Sequence, residues 1–439
     1  MSHAPDPPAA AVTPAAPTTT SPSVVRKTIA AACLGWLFSA LDIVLLILFQ
    51  RPVAESLGVD VQAVRVAIGV GLLGSALGGV AFSQLGDRHG RVRALGWCVL
   101  VYSIATAGMG LAPNVGTLMA MRFLSGVGTG GEWSLGFALI AEVSPRTGRG
   151  WIGGLVAGMF NLGTFMAIGL FQSGLGWRAS LLLMALPALL VLWLRLRVPE
   201  SPIWTALQEA LEKGRVDAKL EAAMRRAPIS RLFRGRLLRL TLKITLVFLL
   251  MNLAFYSFST VFINYLQDDV AGGGLGLDAR GQFPYQVALN LCSLVSVVFA
   301  GFASDRIGRR VSYTIFCLVG TAGSLWLYFL ITGTAAGTVP GLLVLAFSII
   351  TSGYGINGVV GTLASEQFPT HVRSTGPGFC QNLGKGIGGM AGPPLAGVLV
   401  HSLGYAAVLA LPGALTMVLA VLIWTLPHVG GREVRAIEE

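Results

Sequence analysis

The sequence contains few charged residues: Asp, Glu, Lys and Arg make up 12% of its 439 residues, against about a quarter in an ordinary soluble domain. Acidic residues are the scarcer kind, with 20 Asp and Glu against 31 Lys and Arg. Hydrophobic residues make up 54%, in runs of roughly 20, the length at which a helix crosses a bilayer. Because a soluble chain of this length needs polar helix faces, the composition indicates a multi-spanning membrane protein.

Cysteine and histidine are also scarce, with five residues of each. The cysteines all lie inside apolar runs, which favours packing residues over a disulfide framework. The histidines are scattered, so we expect no metal site. The sequence has no Gly-Lys-Ser/Thr phosphate-binding loop, no His-Glu-x-x-His motif and no nucleophile elbow, which argues against ATP-driven transport and against an enzyme. The string "GVGTGG" fits the dinucleotide-binding pattern, but it lies inside an apolar run. We expect no bound cofactor.

The apolar runs predict twelve spans, which place both chain termini on the same side of the membrane. Of the 31 Lys and Arg residues, 25 fall on that side, four fall on the other side, and Arg122 and Lys385 lie within spans. This asymmetry follows the positive-inside bias. The net charge of +11 therefore reflects topology and does not indicate nucleic-acid binding. We expect a cell (inner or plasma) membrane protein with cytoplasmic termini. The predicted spans are 28–49, 64–84, 94–111, 115–141, 150–174, 179–198, 239–266, 281–303, 311–332, 338–364, 374–400 and 404–427.

The predicted fold class is all-α integral membrane, with two six-helix bundles, 26–198 and 239–427. A polar linker, 199–238, joins the bundles and reads as amphipathic surface helices. Residues 1–25 are rich in Pro, Ala and Thr and are predicted to be a disordered cytoplasmic tail. Residues 428–439 form a second cytoplasmic tail.

The two halves repeat one another in sequence. Asp87 and Asp305 occupy matching turns, 218 residues apart. The pattern Glu, two residues, Pro, three residues, Arg occurs in "EVSPRTGR", from Glu142, and in "EQFPTHVR", from Glu366, 224 residues later. Parallel repeats of this kind are typical of one large class of secondary transporters.

Several motifs resemble the major facilitator superfamily. The turn "GFASDRIGRR" at 301–310 matches its signature of Gly, three residues, Asp-Arg, one residue, Gly-Arg and a further basic residue. The first copy, "SQLGDRHGRVR", departs from it at Ser83 and Val92. Together with "RFLSGVG" and "VPESPIW", these motifs are similar to the sugar-porter-like branch, which includes proton symporters of sugars, aromatic acids, sialic acid and monocarboxylates. The resemblance implies twelve helices, alternating access and a functional monomer.

The repeated charged residues predict a cytoplasmic gate, in which ion pairs hold helix ends together and can break. Topology accounts for the arginines, but it does not account for the acids, the glycines or the repeat. The predicted gate residues are Asp87, Arg88, Gly90, Arg91, Glu142 and Arg149 in the first half, and Asp305, Arg306, Gly308, Arg309, Glu366 and Arg373 in the second.

Four ionisable residues lie within predicted spans, where each costs about 2.5–3.5 kcal/mol. Asp42 and Arg122 both lie ~10 Å below the outer boundary, by residue count along their helices. In the sugar porters that the chain resembles, an acid on helix one and an arginine on helix four couple to the proton. The resemblance implies that Asp42 carries the proton and that Arg122 tunes its pKa. A static structural pair is the alternative.

Glu132 and Lys385 fall near the midplane, where transporters bind their substrates. Lys385 shares a helix face with Gln381 and Asn382, and an ammonium flanked by amides suits a carboxylate. The alternative is a structural Glu132–Lys385 pair. Glu132 is otherwise assigned, with Asp42 and Arg122, to proton coupling. Further candidate substrate contacts, each of which is alternatively a helix–helix hydrogen bond, are Asn161, Asn252, Tyr256, Gln286, Asn290, Tyr354 and Asn357.

These residues favour proton-coupled symport, with uptake of a small organic anion. A sugar or polyol symporter is the second possibility, although the Gln-Gln pair and C-terminal motif of sugar porters are missing. A drug/proton antiporter is less favoured because the fifth span lacks its Gly-Pro motif, and a substrate sensor without transport stays open. The expected partners are a carboxylate substrate and the lipid bilayer, with the proton as coupling ion.

Overall fold

The structure is a computed structural model that describes residues 22–144, 148–187, 193, 198–213, 229–333, 340–369 and 372–427. Within these ranges the chain is helical and contains no strand. Nine of the described helical segments are long and apolar enough to cross a membrane, and the longest, Thr375–Thr425, contains two spans. The prediction of an all-α membrane fold with twelve helices in two repeats is confirmed.

We number the helices that correspond to the twelve predicted spans α1 to α12 in chain order; α6 is the six-residue helix at the start of the sixth span, of which 188–192 and 194–197 lie outside the described residues. The short helices Gln50–Leu57, Pro202–Glu212 and Ile229–Leu232 lie between them. The bounds are α1 Pro22–Leu48, α2 Val61–His89, α3 Arg91–Gly110, α4 Val115–Val143, α5 Arg149–Gln172, α6 Trp177–Leu182, α7 Gly235–Gln267, α8 Ala279–Ile307, α9 Arg309–Gly333, α10 Pro340–Gly353 with Ile356–Gln367, α11 375–403 and α12 405–422.

The last three helices differ from the predicted spans in their connections. α10 is broken at 354–355, so its two pieces are separate helices. α11 and α12 follow each other without a loop, and the chain turns at Gly404 alone, whose φ of 77° is left-handed. Glycine adopts that conformation without the steric cost that a side chain would add.

The charged signature turns are more helical than predicted. α2 continues through Asp87 and Arg88 to His89, and the turn is made by Gly90, with φ 109°. α8 ends in the same way before Gly308, with φ 89°. Glycine adopts such a positive φ without the steric cost that a side chain would add, which explains why both copies of the motif carry a glycine at this position.

Two further boundaries are corrected by the structure. α1 begins at Pro22, so the last four residues of the predicted tail 1–25 are helical, while 1–21 lie outside the described residues. α7 begins at Gly235, inside the predicted linker 199–238, of which 214–228 also lie outside the described part.

The two halves meet along two helix pairs, α2 with α11 and α5 with α8. At the second pair, Gly150 and Gly301 are so close that a Cβ on either would overlap the backbone of the other. Small residues permit such close approach between membrane helices. Trp133 of α4 and Phe248 of α7 also join the halves, with ring centroids 5.3 Å apart. We call the end of the bundle that holds Gly90 and Gly308 the inner end; it is the predicted cytoplasmic side.

Candidate functional site

Asp42 and Arg122 form a buried ion pair in the outer half of the first bundle. An Arg122 Nη1 atom lies 3.1 Å from Asp42 Oδ2, and the two side chains are 5% and 1% exposed. The same nitrogen donates to the Asp42 carbonyl at 3.3 Å. Gly71 of α2 makes room for the guanidinium, because a Cβ there would lie 2.8 Å from Arg122 Nε. The sequence-predicted pairing of α1 with α4 is therefore present.

Two hydroxyl groups complete this site, and sequence reasoning missed both. Ser125 Oγ donates to Asp42 Oδ2 at 2.7 Å, and Thr106 of α3 donates to Oδ1. Ser125 lies one helical turn after Arg122 within "RFLSGVG", so its spacing could have indicated it. Thr106 comes from a helix that the sequence did not connect to the site. With three donors on one carboxylate, the ionised form of Asp42 is well satisfied.

Lys385 of α11, which the sequence predicts to lie near the midplane, comes close to this pair. Its side chain is partly exposed, and it is within electrostatic reach of both Asp42 and Arg122. Among the described residues no carboxylate approaches its ammonium within 4.0 Å, and no hydrogen bond to it is made. The alternative of a Glu132–Lys385 pair is therefore not what the structure contains. Tyr256 of α7 lies within electrostatic reach of Arg122, so it borders the same space.

The two amides beside Lys385 differ in their surroundings. Asn382 is 3% exposed, and it donates to the carbonyls of Gly130 and Gly378 at 3.0 and 2.8 Å while accepting from Ser75. Its amide therefore joins α11 to α2 and α4 in this conformation. Gln381 is partly exposed and accepts a bond of 3.5 Å from Asn252.

The remaining polar candidates mostly bond to backbone. Asn252, Asn290 and Asn357 donate to carbonyls of their own helices. Tyr354 donates to the carbonyl of Ala254 on α7 at 3.2 Å. Asn161 is 7% exposed, and Gln286 is partly exposed on α8. The three asparagines therefore stabilise the helices that carry them, and the Tyr354 hydrogen bond connects α10 to α7.

Glu132 lies inside the first bundle, away from Lys385. Its side chain is 3% exposed, and its carboxylate rests against Gly35 of α1, where a Cβ would overlap it. Among the described residues neither carboxylate oxygen has a hydrogen-bond partner. Ser39 faces the carboxylate without meeting hydrogen-bond geometry. Glu132, Trp36 and Trp133 line a small pocket between α1 and α4.

At the inner end, Asp87 binds the start of α11 from the opposite half. Its carboxylate accepts from the backbone N–H of Ser374 and Thr375, at 3.3 and 2.9 Å, and from the Thr375 hydroxyl at 2.6 Å. Arg91 pairs with Asp87 at 3.2 Å and with Glu142 at 3.1 Å. A carboxylate at a helix N-terminus satisfies unpaired N–H groups and the helix dipole.

Asp305 makes the mirrored contact in the second half. It accepts from the backbone N–H of Gly150 and Trp151, at 2.9 and 2.8 Å, at the start of α5. Arg309 pairs with Asp305 at 2.7 Å and with Glu366 at 3.3 Å. Each half therefore caps, with the aspartate of its signature turn, a helix of the other half. The sequence repeat indicated the ion pairs but not that the aspartates reach across.

Five further predicted gate residues have contacts that the sequence did not specify. Glu142 has Arg373, from the other half, at 3.8 Å, while Arg149 donates to the carbonyl of Ser144. Burial lowers the pKa of Arg373 to about 10, with the Glu142 carboxylate opposing that shift, so Arg373 stays protonated near neutral pH. Arg88 is exposed, and Arg306 is exposed and stacks over the Phe302 ring at 4.2 Å. Arg88 and Arg306 lie outside the ion pairs found among the described residues.

Glu200, just after the sixth span, was missed. It accepts from the backbone N–H groups of Arg91 and Val92 at 2.8 and 3.0 Å, at the start of α3. Trp204 donates from its indole nitrogen to the Asp87 carbonyl at 3.2 Å. Both residues belong to "VPESPIW", so that motif anchors the linker to the signature turn.

Comparison with known proteins identifies the family. The profile of the Major Facilitator Superfamily matches residues 29–389 and 291–438, and the chain belongs to this family. It is therefore a transporter and not an enzyme. The chain is 27% identical to the sialic acid transporter NanX of Escherichia coli, over 84% of this chain and 86% of NanX. It is also 27% identical to the niacin transporter NiaP of Acinetobacter baylyi, over 82% and 84%, and to the cis,cis-muconate transport protein of the same organism, over 75% and 76%.

Solved structures agree on the fold. The proton:xylose symporter XylE superposes with a TM-score of 0.75 at 19% identity, covering 95% of this chain and 99% of XylE. The human organic anion transporter MFSD10 gives 0.69 at 17% identity, over 92% and 100%. At these identities the likeness concerns the fold alone. The three relatives at 27% identity are named for sialic acid, niacin and cis,cis-muconate.

Proposed function

We propose that this protein takes up a small organic carboxylate together with protons, by alternating access. The observation that carries the proposal is Lys385: the residue is partly exposed, it is within electrostatic reach of Arg122 and Asp42, and no carboxylate among the described residues lies within 4.0 Å of its ammonium. A cation in the membrane interior is expensive unless it is paired, and a substrate carboxylate supplies the missing partner. Three relatives are named for sialic acid, niacin and muconate, which are all acids.

Asp42 is the proposed site of proton loading. In the ionised form it holds Arg122, Ser125 and Thr106 in one cluster. Protonation removes the charge that binds Arg122, and it thereby frees the guanidinium to interact with an anion near Lys385. Proton and anion would then load together because each reduces the charge imbalance that the other creates. By the same reasoning, Arg122 is the residue that sets how readily Asp42 takes up a proton, because it pairs with the ionised carboxylate.

The inner-end network is the proposed cytoplasmic gate. Asp87 and Asp305 connect the halves through helix N-termini, so the inner side is closed when both contacts are made. Release to the cytoplasm requires that α11 leaves Asp87 and that α5 leaves Asp305. These contacts are short-range and few, which allows the halves to rock about the midplane. The proposed working unit is a single chain in the cell membrane.

The test uses purified protein in liposomes and pairs of substrates that differ in charge alone. Nicotinate and nicotinamide have the same ring, but only the first carries a carboxylate. N-acetylneuraminate, cis,cis-muconate and xylose complete the panel. We expect uptake of at least one carboxylate with alkalinisation of the external solution, lost in Lys385→Gln and retained in part by Lys385→Arg. Uptake of xylose with no response to any carboxylate would contradict the proposal and favour the sugar symporter.

A further inference from the structure

We propose that the first bundle contains a proton relay, in which Ser39 and Tyr102 connect Asp42 to Glu132. The relay rests on the proposed proton coupling. It adds Glu132 as a second residue that binds the proton, and Ser39 and Tyr102 as the side chains that pass the proton to it. It is built from three helices, α1, α3 and α4, and lies beside the substrate space rather than in it. Its members lie on consecutive helical turns.

The three helices contribute polar side chains in register. In the outer turn, Asp42, Thr106 and Ser125 are hydrogen-bonded to one another. One turn inward along each helix, the corresponding residues are Ser39, Tyr102 and Gly128. A Cβ on Gly128 would lie 2.7 Å from the Tyr102 Cβ, so α3 and α4 touch at this level.

In the innermost turn, Glu132 rests against Gly35 of α1, and Cys98 of α3 lies within its electrostatic reach. Gly35, Ser39 and Asp42 are separated by four and three residues, so they share one face of α1. The rise between Gly35 and Asp42 is about 10 Å. At about 2.8 Å per hydrogen bond, a path over that distance needs three or four bonds, and in the relay they form when the Ser39 and Tyr102 hydroxyls turn towards the two acids.

The hydroxyl groups between the two acids make no hydrogen bond of ordinary geometry, and neither does the Glu132 carboxylate. Among the described residues, the Ser39 hydroxyl, the Tyr102 hydroxyl and both Glu132 oxygens are buried without a hydrogen bond, and Tyr102 is 0% exposed. The Tyr102 ring is within electrostatic reach of both Asp42 and Glu132. An unsatisfied buried polar group costs about 1–3 kcal/mol, so two unbonded hydroxyls next to an unbonded carboxylate are hard to explain by stability. Hydroxyl groups, which both donate and accept, suit proton transfer.

The transfer leaves the relay unchanged. A proton leaves the Asp42 carboxyl group, each hydroxyl accepts one proton and donates its own, and the last proton forms an O–H bond on Glu132. Asp42 is then ionised again and can re-form its pair with Arg122. Glu132 becomes a neutral acid, which is the less costly form for an unpaired carboxyl group in an apolar pocket.

Each variant in the test removes one functional group and changes the volume of the side chain very little. Tyr102→Phe deletes an oxygen atom that bonds to no described residue, so the fold is preserved, and Glu132→Gln keeps the shape of the side chain. Tyr313→Phe is the matched control, because Tyr313 of α9 is also 0% exposed with an unbonded hydroxyl but lies in the second bundle. Two rates are measured for each protein in liposomes: carboxylate exchange at equal pH on both sides, and uptake driven by a pH gradient.

We expect Tyr102→Phe to lower pH-driven uptake by about a hundredfold or more, the lower end of the range for loss of a proton-transferring group. Its exchange rate should stay within about twofold of the parent, the scatter of ordinary variants. Glu132→Gln should lose pH-driven uptake and retain exchange, and Tyr313→Phe should match the parent in both rates. Normal pH-driven uptake in Tyr102→Phe or Glu132→Gln would overturn the relay alone. A parent protein that shows exchange but no proton movement would overturn the proposed symport, and the relay with it.

Discussion

The contact of Asp87 with α11 predicts how far one substitution opens the inner side. Asn in place of Asp87 keeps one acceptor oxygen, so Asp87→Asn removes the charge and about one of the bonds to Ser374 and Thr375. Hydrogen bonds to a charged group contribute about 1.5–3 kcal/mol each. A loss of that size raises the inner-open population about 10- to 150-fold, at 1.4 kcal/mol per tenfold change.

A cysteine at position 83 reports this opening. Ser83 lies on α2 one turn before Asp87, is 0% exposed and faces Gly378 of α11, where a Cβ would overlap its hydroxyl. With the five native cysteines replaced, a maleimide reaches Ser83→Cys only after the halves separate. We expect Asp87→Asn to raise the alkylation rate about tenfold or more. The control Arg88→Gln, which changes an exposed neighbour, should leave it unchanged. Equal rates in Asp87→Asn and its parent, or the same increase in Arg88→Gln, would refute the gate.

Three further outcomes follow from the same contacts. Asp42→Asn should abolish carboxylate accumulation driven by a pH gradient while leaving exchange measurable; loss of exchange as well, in tracer counterflow, would make Asp42 structural. Gly78→Ala should lower the Tm because its Cβ would overlap the Val127 backbone, at a cost of about 1–3 kcal/mol for overpacking. Gly69→Ala, on the same helix but facing open space, is its control. Equal Tm values for the two variants would show that α2 and α4 move apart at no measurable cost in stability. Glu200→Ala should cost about 0.5–2 kcal/mol as a lost helix cap, seen as a lower Tm in detergent; an unchanged Tm would argue against its capping role.

The sequence was sufficient to predict features that repeat along the chain and features that depend only on how far a residue lies from the end of its helix. Runs of apolar residues determined the spans, and counting residues along two helices put Asp42 and Arg122 at the same level, where they do pair. The offset between Asp87 and Asp305 indicated two equivalent charged turns, and both ion-pair clusters exist. Periodicity is a local property, so it is readable without knowledge of packing.

Contacts that depend on how helices pack could not be predicted. Thr106 reaches Asp42 from α3, Asp87 reaches α11, and Glu200 reaches α3, and no spacing in the sequence connects these partners. The Glu132–Lys385 alternative failed for the same reason: equal depth does not place two side chains on facing sides. The helical extension through Asp87 was missed because charge was taken to end a span, whereas Gly90 ends it.

The most direct test of the central claim is the external pH of lightly buffered proteoliposomes when a transported carboxylate is added. We expect alkalinisation that tracks carboxylate uptake, is abolished by a protonophore and is lost in Lys385→Gln. Carboxylate uptake with no change in external pH, or equal alkalinisation by Lys385→Gln, would contradict it.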